Sequence, residues 1–257
     1  MTEITEPTAP SSAPSTRGEI LEIVKTVVVA LALATVLRVV LFQPFTIPSS
    51  SMEPGLVTGD YIVVSKFAYG WSRASLPLNL PLIPGNGRLL GHGPKRGDVV
   101  VFRLPRDPKQ TWVKRVIGLP GDRVQVTGGV VSVNGVAIPQ AAEGLTHDFD
   151  APTREVMQVR ETQGSRSYVT YDGGSGLPGD DTGVYVVPAG NYFMMGDNRD
   201  NSLDSRWPGT VGVGLLPAKN IIGKAEIVVG SWNAGAALIK PWTWLDLRGN
   251  RFFKPIR

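Results

Sequence analysis

The chain has 257 residues, 42% of them hydrophobic and 19% charged, which is enough to build one large β domain or two smaller ones. It has no cysteine, so structural disulfides and thiolate metal sites are excluded. The net charge of +4 is spread without aromatic clusters through the body of the chain, which argues against nucleic acid as a partner.

Glycine and proline number 30 and 21, a density that suits short strands joined by turns better than a helical bundle. Residues 1–18 are rich in Pro, Ser and Thr and lack apolar periodicity, so a disordered tail is expected. Residues 19–42 follow, with an aliphatic run from Ile20 to Phe42 long enough to cross a bilayer as a helix. Glu22, Lys25 and Arg38 interrupt it, and lysine or arginine near a helix end can reach the headgroups. A buried helix of a soluble protein and a cleavable signal compete with this reading. No small-residue cleavage site follows Phe42, so the run reads as an uncleaved, single-pass anchor. Arg17 and Lys25 favour a cytoplasmic N-terminus, with the bulk of the chain on the outer face of the cell membrane.

Next comes Ile47-Pro48-Ser49-Ser50-Ser51-Met52-Glu53-Pro54, an extended segment running into a tight turn. Strands are expected at Tyr61–Phe67, Asp98–Phe102 and Thr111–Ile117, with a Pro/Gly/Leu-rich loop over 71–95. Arg123–Val126 and Val130–Val133 lead to Asn134-Gly135, a hairpin-turn pair. The polar stretch to residue 183 carries scattered strands such as Ser167–Tyr171, and 123–183 reads as an inserted, looser cap. Strands resume at Tyr185–Val187 and Tyr192–Met195, so the core spans 43–122 and 184–257. From Lys240 onward, basic residues alternate with Trp242, Trp244, Phe252 and Phe253, a pattern that fits a membrane interface or an ordinary packed terminus.

A serine acts as a nucleophile only if a base takes its proton. The only histidines, His92 and His147, lie in a turn and a polar stretch that aim neither at a serine. Lys114 is the better candidate. On a strand it shares a face with Trp112 and Val116, while Val113 and Arg115 face the other way. Burial between an indole and a valine disfavours the ammonium, and a lysine lowered to roughly 7–8 is a usable base. Ser51, at the turn, is the candidate nucleophile, with free backbone N–H groups and the Ser49 or Ser50 hydroxyl as donors to an oxyanion. A surface lysine on an edge strand and a serine-rich linker are the plain alternatives. Gly196–Arg206 is dense in turn formers and charges; it lacks the calcium-loop spacing, and Arg199 and Arg206 oppose a cation, so an ion-paired loop is expected.

Together these stretches resemble the type I signal peptidases, membrane-bound Ser–Lys endopeptidases. The resemblance rests on Ile47–Pro54, Gly59–Gly70, Arg96–Phe102, Lys114–Asp122 and Gly196–Arg206, in that order after an anchor. Gly55 stands where threonine is common, and 71–95 and 123–183 match poorly. The resemblance implies a mostly β protein: an antiparallel catalytic core with an inserted β cap, preceded by one transmembrane helix. It implies Ser51 as nucleophile, Lys114 as base, the Ser51 N–H and Ser49 hydroxyl as oxyanion donors, and Ser202 hydrogen-bonded to Lys114. Asp197, Asp204 and Arg206 would hold the site through ion pairs, with Arg115 a partner for Asp197. Preprotein signal peptides would bind extended beside Phe45–Ser49 and Trp112–Lys114, small side chains entering pockets lined by Phe45, Ile47, Met52, Leu56, Trp112 and Val113. No cofactor or metal is implied, and the lipid bilayer is the other partner of a monomeric enzyme. A self-cleaving repressor-type peptidase would carry a DNA-binding N-terminus in place of the aliphatic run. A non-catalytic anchored scaffold would leave Ser51 and Lys114 incidental.

Overall fold

The computed structural model describes residues 16–75, 89, 91–233 and 240–257. The tail expected over 1–18 and the loop over 71–95 fall largely outside them. The chain divides into two units, Met1–Arg38 and Val39–Arg257. The first is built on a helix, α1 (Thr16–Val40). Its Gly18–Leu37 stretch has a mean hydropathy of 2.3 and none of it is buried. At about 1.5 Å per residue those 20 residues span roughly 30 Å, the thickness of a bilayer's hydrocarbon core. The exposed aliphatic surface is the opposite of what a soluble core helix presents. Thr26 and Thr35 return their hydroxyls to the carbonyls of Glu22 and Leu31, at 2.8 and 2.7 Å, so neither leaves an unpaired donor on that surface.

The second unit is antiparallel β. Its main sheet runs β1 (Phe42–Thr46), β2 (Asp60–Ser65), β14 (Ile221–Ser231), β3 (Val99–Leu104), β4 (Asp107–Gly118), β12 (Asn191–Met195) and β13 (Leu216–Pro217), with β15 (Lys254–Pro255) against β14. A second sheet orders β11 (Tyr185–Val186), β5 (Arg123–Thr127), β6 (Val130–Val133) and β7 (Val136–Ala137). The third is a meander of β8 (Gln140–His147), β9 (Glu155–Gln163) and β10 (Arg166–Asp172).

The sequence of β3 reads Val-Val-Val-Phe-Arg-Leu because both its faces are covered. Val99 and Val101 enter one apolar cluster with Ile47, Met52, Ile62 and Val113, whereas Val100 and Phe102 enter another with Val116, Met194 and Leu216. A strand buried on both sides loses the alternation that marks a half-exposed one. β4 pairs with β3 as far as Arg115, Val100 opposite Lys114 and Val99 opposite Arg115. β12 covers the other side of β4 only from Arg115 onward. Lys114 therefore belongs to an interior strand, at the point where its second edge becomes open.

A third apolar cluster joins β12 to the second sheet through Ile117, Val124, Val131 and Phe193. Gly118 permits that approach, since a Cβ there would lie 2.7 Å from Val124 Cγ2. At the β6–β7 turn, Asn134 and Gly135 have φ of 54° and 79°, the left-handed pair that a two-residue hairpin requires.

The stretch expected to be loose is regular. β8, β9 and β10 have 8, 9 and 7 residues in antiparallel register, unbroken between β9 and β10 and shifted once between β8 and β9, at Ala142/Gly144. β8 is exposed along nearly all its length, so its polar sequence carries no alternation from which a strand can be read. β11, which the sequence assigns to the core, pairs with β5 of the insert. Phe193 is wholly buried, with its ring 5.0 Å from that of Tyr185. Phe193→Ala is expected to cost about 3–5 kcal/mol in denaturant unfolding, through the cavity it leaves between the two sheets.

Candidate active site

Ser51 sits in a short 3-10 turn, Ser50–Met52, with Ser49 extended before it. Two bonds fix the approach: the Ile47 N–H donates to Asp60 O at 2.8 Å and the Gly59 N–H to Ile47 O at 2.9 Å. Three hold the turn: Glu53 N–H to Ser50 O at 3.0 Å, Asn198 N–H to Ser51 O at 3.2 Å, and Asn201 Nδ2 to Ser50 Oγ at 2.8 Å. The first N–H groups of a helical turn have no acceptor within it, which leaves the Ser51 N–H available.

Lys114 Nζ donates to Ser51 Oγ at 2.6 Å, across 63 residues of chain. The amine is buried, 5.6 Å from the centre of the Trp112 ring. Burial pushes the Lys114 amine down to about 8; Asp204 and Asp197 pull it back up, and the Arg206 guanidinium lowers it again. Ser49 Oγ lies 3.4 Å from Ser51 Oγ. Neither histidine takes part: His92 packs edge-on near Tyr69, and His147 lies exposed on β8.

The 196–206 loop is a rack of ion pairs. Arg115 grips Asp197 through two bonds, Nε to Oδ1 at 2.7 Å and Nη2 to Oδ2 at 2.6 Å, and Tyr168 lies 3.8 Å beneath the guanidinium. Arg206 holds Asp204 in the same two-pronged way, and Asp204 Oδ2 also accepts the Gly196 N–H at 3.0 Å. Those bonds outweigh burial, so the Asp204 carboxyl lies below its ordinary range. Asp197 and Asp204 are thus committed to arginines, while the third acid of the loop, Asp200, accepts the Gly173 N–H at 2.7 Å. Gly196 must be glycine, because a Cβ there would collide with Ser202 Oγ and Ser51 O.

Ser202 departs from expectation. Among the described residues its hydroxyl, buried beside the Ser51 backbone, has no hydrogen-bond partner, and the bond to Lys114 is not made. Lys114 spends its contact on Ser51 instead. Met52 and Leu56 also depart. Phe45, Ile47, Trp112 and Val113 line a cleft of about 520 Å³ with Ser49, Ser51 and Lys114. Met52 and Leu56 point into the core beneath the turn, in the cluster of Ile62 and Val64.

Pro48, within the expected peptide-binding stretch, also lines the cleft, together with three residues that sequence reasoning misses there, Gln110, Asn201 and Leu203. Gln110 Oε1 accepts the Trp112 indole N–H at 3.1 Å and fixes that wall. Arg199 is bound by Glu161 at 2.5 and 2.6 Å, both buried, which ties the loop to β9. Arg199 lies in a stretch already singled out, but Glu161 lies in the insert, where no motif marks it.

The model for "Signal peptidase, peptidase S26" matches residues 20–232. The chain belongs to that family. It is 36% identical over 244 residues to a signal peptidase I of Rickettsia typhi, covering 87% of this chain and 89% of that one. It is 40% identical over 208 residues to one of Pseudomonas aeruginosa, covering 79% and 69%. A solved signal peptidase I of Enterococcus faecalis aligns at 26% identity with a TM-score of 0.31, over 52% of this chain and 97% of that one, too low a score to add to the assignment. As a signal peptidase I, the protein is a serine peptidase and a peptide-bond hydrolase.

The depressed lysine also has a stability signature. Below about 8 the folded amine is charged and buried; between about 8 and 10.5 only the unfolded chain holds the proton, so stability rises with pH across that window. Lys114→Met is therefore expected to unfold later than the parent at pH 7, by on the order of 2–3 kcal/mol, with the gap closing toward pH 10.5. Denaturant unfolding of both proteins across that range checks it.

Proposed function

We propose that this signal peptidase cleaves signal peptides from exported preproteins by a Ser51–Lys114 dyad, at the outer face of the cytoplasmic membrane. The 2.6 Å contact between a buried amine and the Ser51 hydroxyl is the observation that carries this reading. Neutral Lys114 takes the Ser51 proton as Oγ attacks the scissile carbonyl. The Ser51 N–H and the Ser49 hydroxyl receive the developing oxyanion. The protonated amine then returns its proton to the leaving nitrogen, which leaves an acyl-enzyme on Ser51. Lys114, neutral again, draws a proton from water for deacylation. Asp197, Asp204, Arg206 and Arg115 hold the frame, and Ser202, beside the Ser51 turn and without a partner among the described residues, is free to bond Lys114 once Ser51 is acylated.

The open edge of β4 before Arg115 and the cleft beside Phe45–Ser49 suit an extended peptide added as a strand. Apolar walls from Phe45, Ile47, Trp112 and Val113 suit small side chains at the −1 and −3 positions. α1 anchors the enzyme as a single-pass protein with a cytoplasmic N-terminus, and confinement to one surface raises its encounter with membrane-bound substrate. Exposed Trp242, Leu245 and Phe253, among basic residues, suit contact with the lipid interface. The enzyme acts as a monomer, without cofactor or nucleic acid.

Ser51→Ala and Lys114→Arg are each expected to lower preprotein cleavage by at least about a thousandfold, because each removes a member of one proton-transfer unit. N-terminal sequencing of products reads both the extent and the site of cleavage. For the parent, kcat/KM is expected to rise through an acidic limb near 8, as Lys114 loses its proton. A limb near 10.5, or near-normal processing by either variant, refutes the dyad.

A further inference from the structure

Two carboxyls meet beneath the Ser51 turn. Glu53 is wholly buried, and its Oε2 accepts the Phe149 N–H at 3.0 Å. Its Oε1 is buried with no donor directed at it among the described residues. The Asp148 carboxyl faces Glu53 within hydrogen-bonding reach. Asp148 is itself buried, and its oxygens already accept Asn198 Nδ2 at 2.9 Å and the N–H groups of Asp150 and Ala151 at 3.1 Å. Two ionised carboxylates do not share a dry site. A proton on Glu53 Oε1 turns the orphan acceptor into a donor to Asp148, and both acids are then satisfied.

This pair reaches the nucleophile by two short routes. The Glu53 N–H holds Ser50 O, while Asn198 bonds Asp148 with its side chain and Ser51 O with its N–H. The ring Ser51–Glu53–Asp148–Asn198 thus clamps the turn to the 148–151 segment of the cap. We propose that Glu53 is a positioning residue that works as the neutral acid: its hydrogen bond to Asp148 fixes the Ser51 turn on the cap, and its ionisation releases that turn. The proposal rests on Ser51 being the nucleophile.

The surrounding charges favour the proton. From the cap, Asp148 and Asp150 face Glu53, and Arg154 is drawn to Asp148 at 3.4 Å. Tyr171 of β10 faces it too, and the Arg248 guanidinium lies over the Phe149 ring. On the core side, Arg115 and Arg251 are bound to Asp197 and Asp60. Burial pushes the Glu53 carboxyl up to about 8; the Phe149 N–H pulls it down, and Asp148 and Asp150 push it up again. Between 4.5 and about 8 the docked acid holds a proton that a free one has lost, so docking weakens as pH rises through that window. Lys114 moves the opposite way, gaining its basic form as pH rises. The two together give activity an alkaline limb as well as an acidic one.

The test is kcat and KM against pH for the full-length enzyme in detergent with a preprotein, comparing parent, Glu53→Gln, Glu53→Ala and Ser51→Ala. Gln is neutral at every pH, and its amide can donate to Asp148. Glu53→Ala is expected to lower kcat about tenfold with KM little changed, Gln to recover most of that loss, and the Gln profile to lack the alkaline limb while keeping the acidic one. A Gln variant with the parental alkaline limb, or one as impaired as Ala, overturns the proposal. Should the Ala variant not fold, the Gln profile alone decides. An active Ser51→Ala overturns the nucleophile assignment instead, whatever the Glu53 variants do.

Discussion

The amine of Lys114, cut off from water and 2.6 Å from the Ser51 hydroxyl, is the contact the rest of the molecule serves. A free lysine at pH 7 is uncharged in roughly one molecule in three thousand; at about 8 the fraction becomes roughly one in ten. That gain of about three-hundredfold in base comes from burial, and it costs stability. The main sheet bears the cost by placing Lys114 on an interior strand between two apolar clusters, with Val100 opposite it.

Burying an amine among carboxylates would normally restore its charge. Asp197 and Asp204 both pull Lys114 in that direction. Each is gripped by two bonds from its own arginine, Arg115 or Arg206, so its charge is largely answered before it reaches the amine. The loop therefore delivers backbone contacts to Ser51, through Asn198 and Gly196, while leaving the Lys114 amine lowered to about 8. The cap adds Glu161 to Arg199 and Asp148 to Asn198, so the insert braces the nucleophile from outside the core sheet.

The β class, the anchor-like helix and the Ser51–Lys114 pairing were all legible from local signals: breakers at turns, a long aliphatic run, and a lysine between apolar residues without a usable histidine. Other features depend on three-dimensional surroundings that local sequence does not carry. Met52 and Leu56 look like pocket residues by position, but the 3-10 turn puts Met52 into the core and the chain after it puts Leu56 there too. β8 lacks alternation because nearly all of it is exposed, so a regular strand reads as loose chain, whereas Ser167–Tyr171 of β10 is legible as a strand. Glu53 follows the serine run as an ordinary polar residue, and only the fold brings Asp148 against it across 95 positions. Ser202 stands where expected, beside the Ser51 turn, but its hydroxyl bonds nothing among the described residues.

The most direct measurement is the titration of Lys114 itself. Enzyme labelled with ¹³C at the lysine ε position, with the Lys114 signal assigned by its absence from Lys114→Met, reports the charge of that amine independently of turnover. The account predicts a midpoint near 8, well below the other lysines. A midpoint near 10.5, with the amine charged throughout the neutral range, would contradict it.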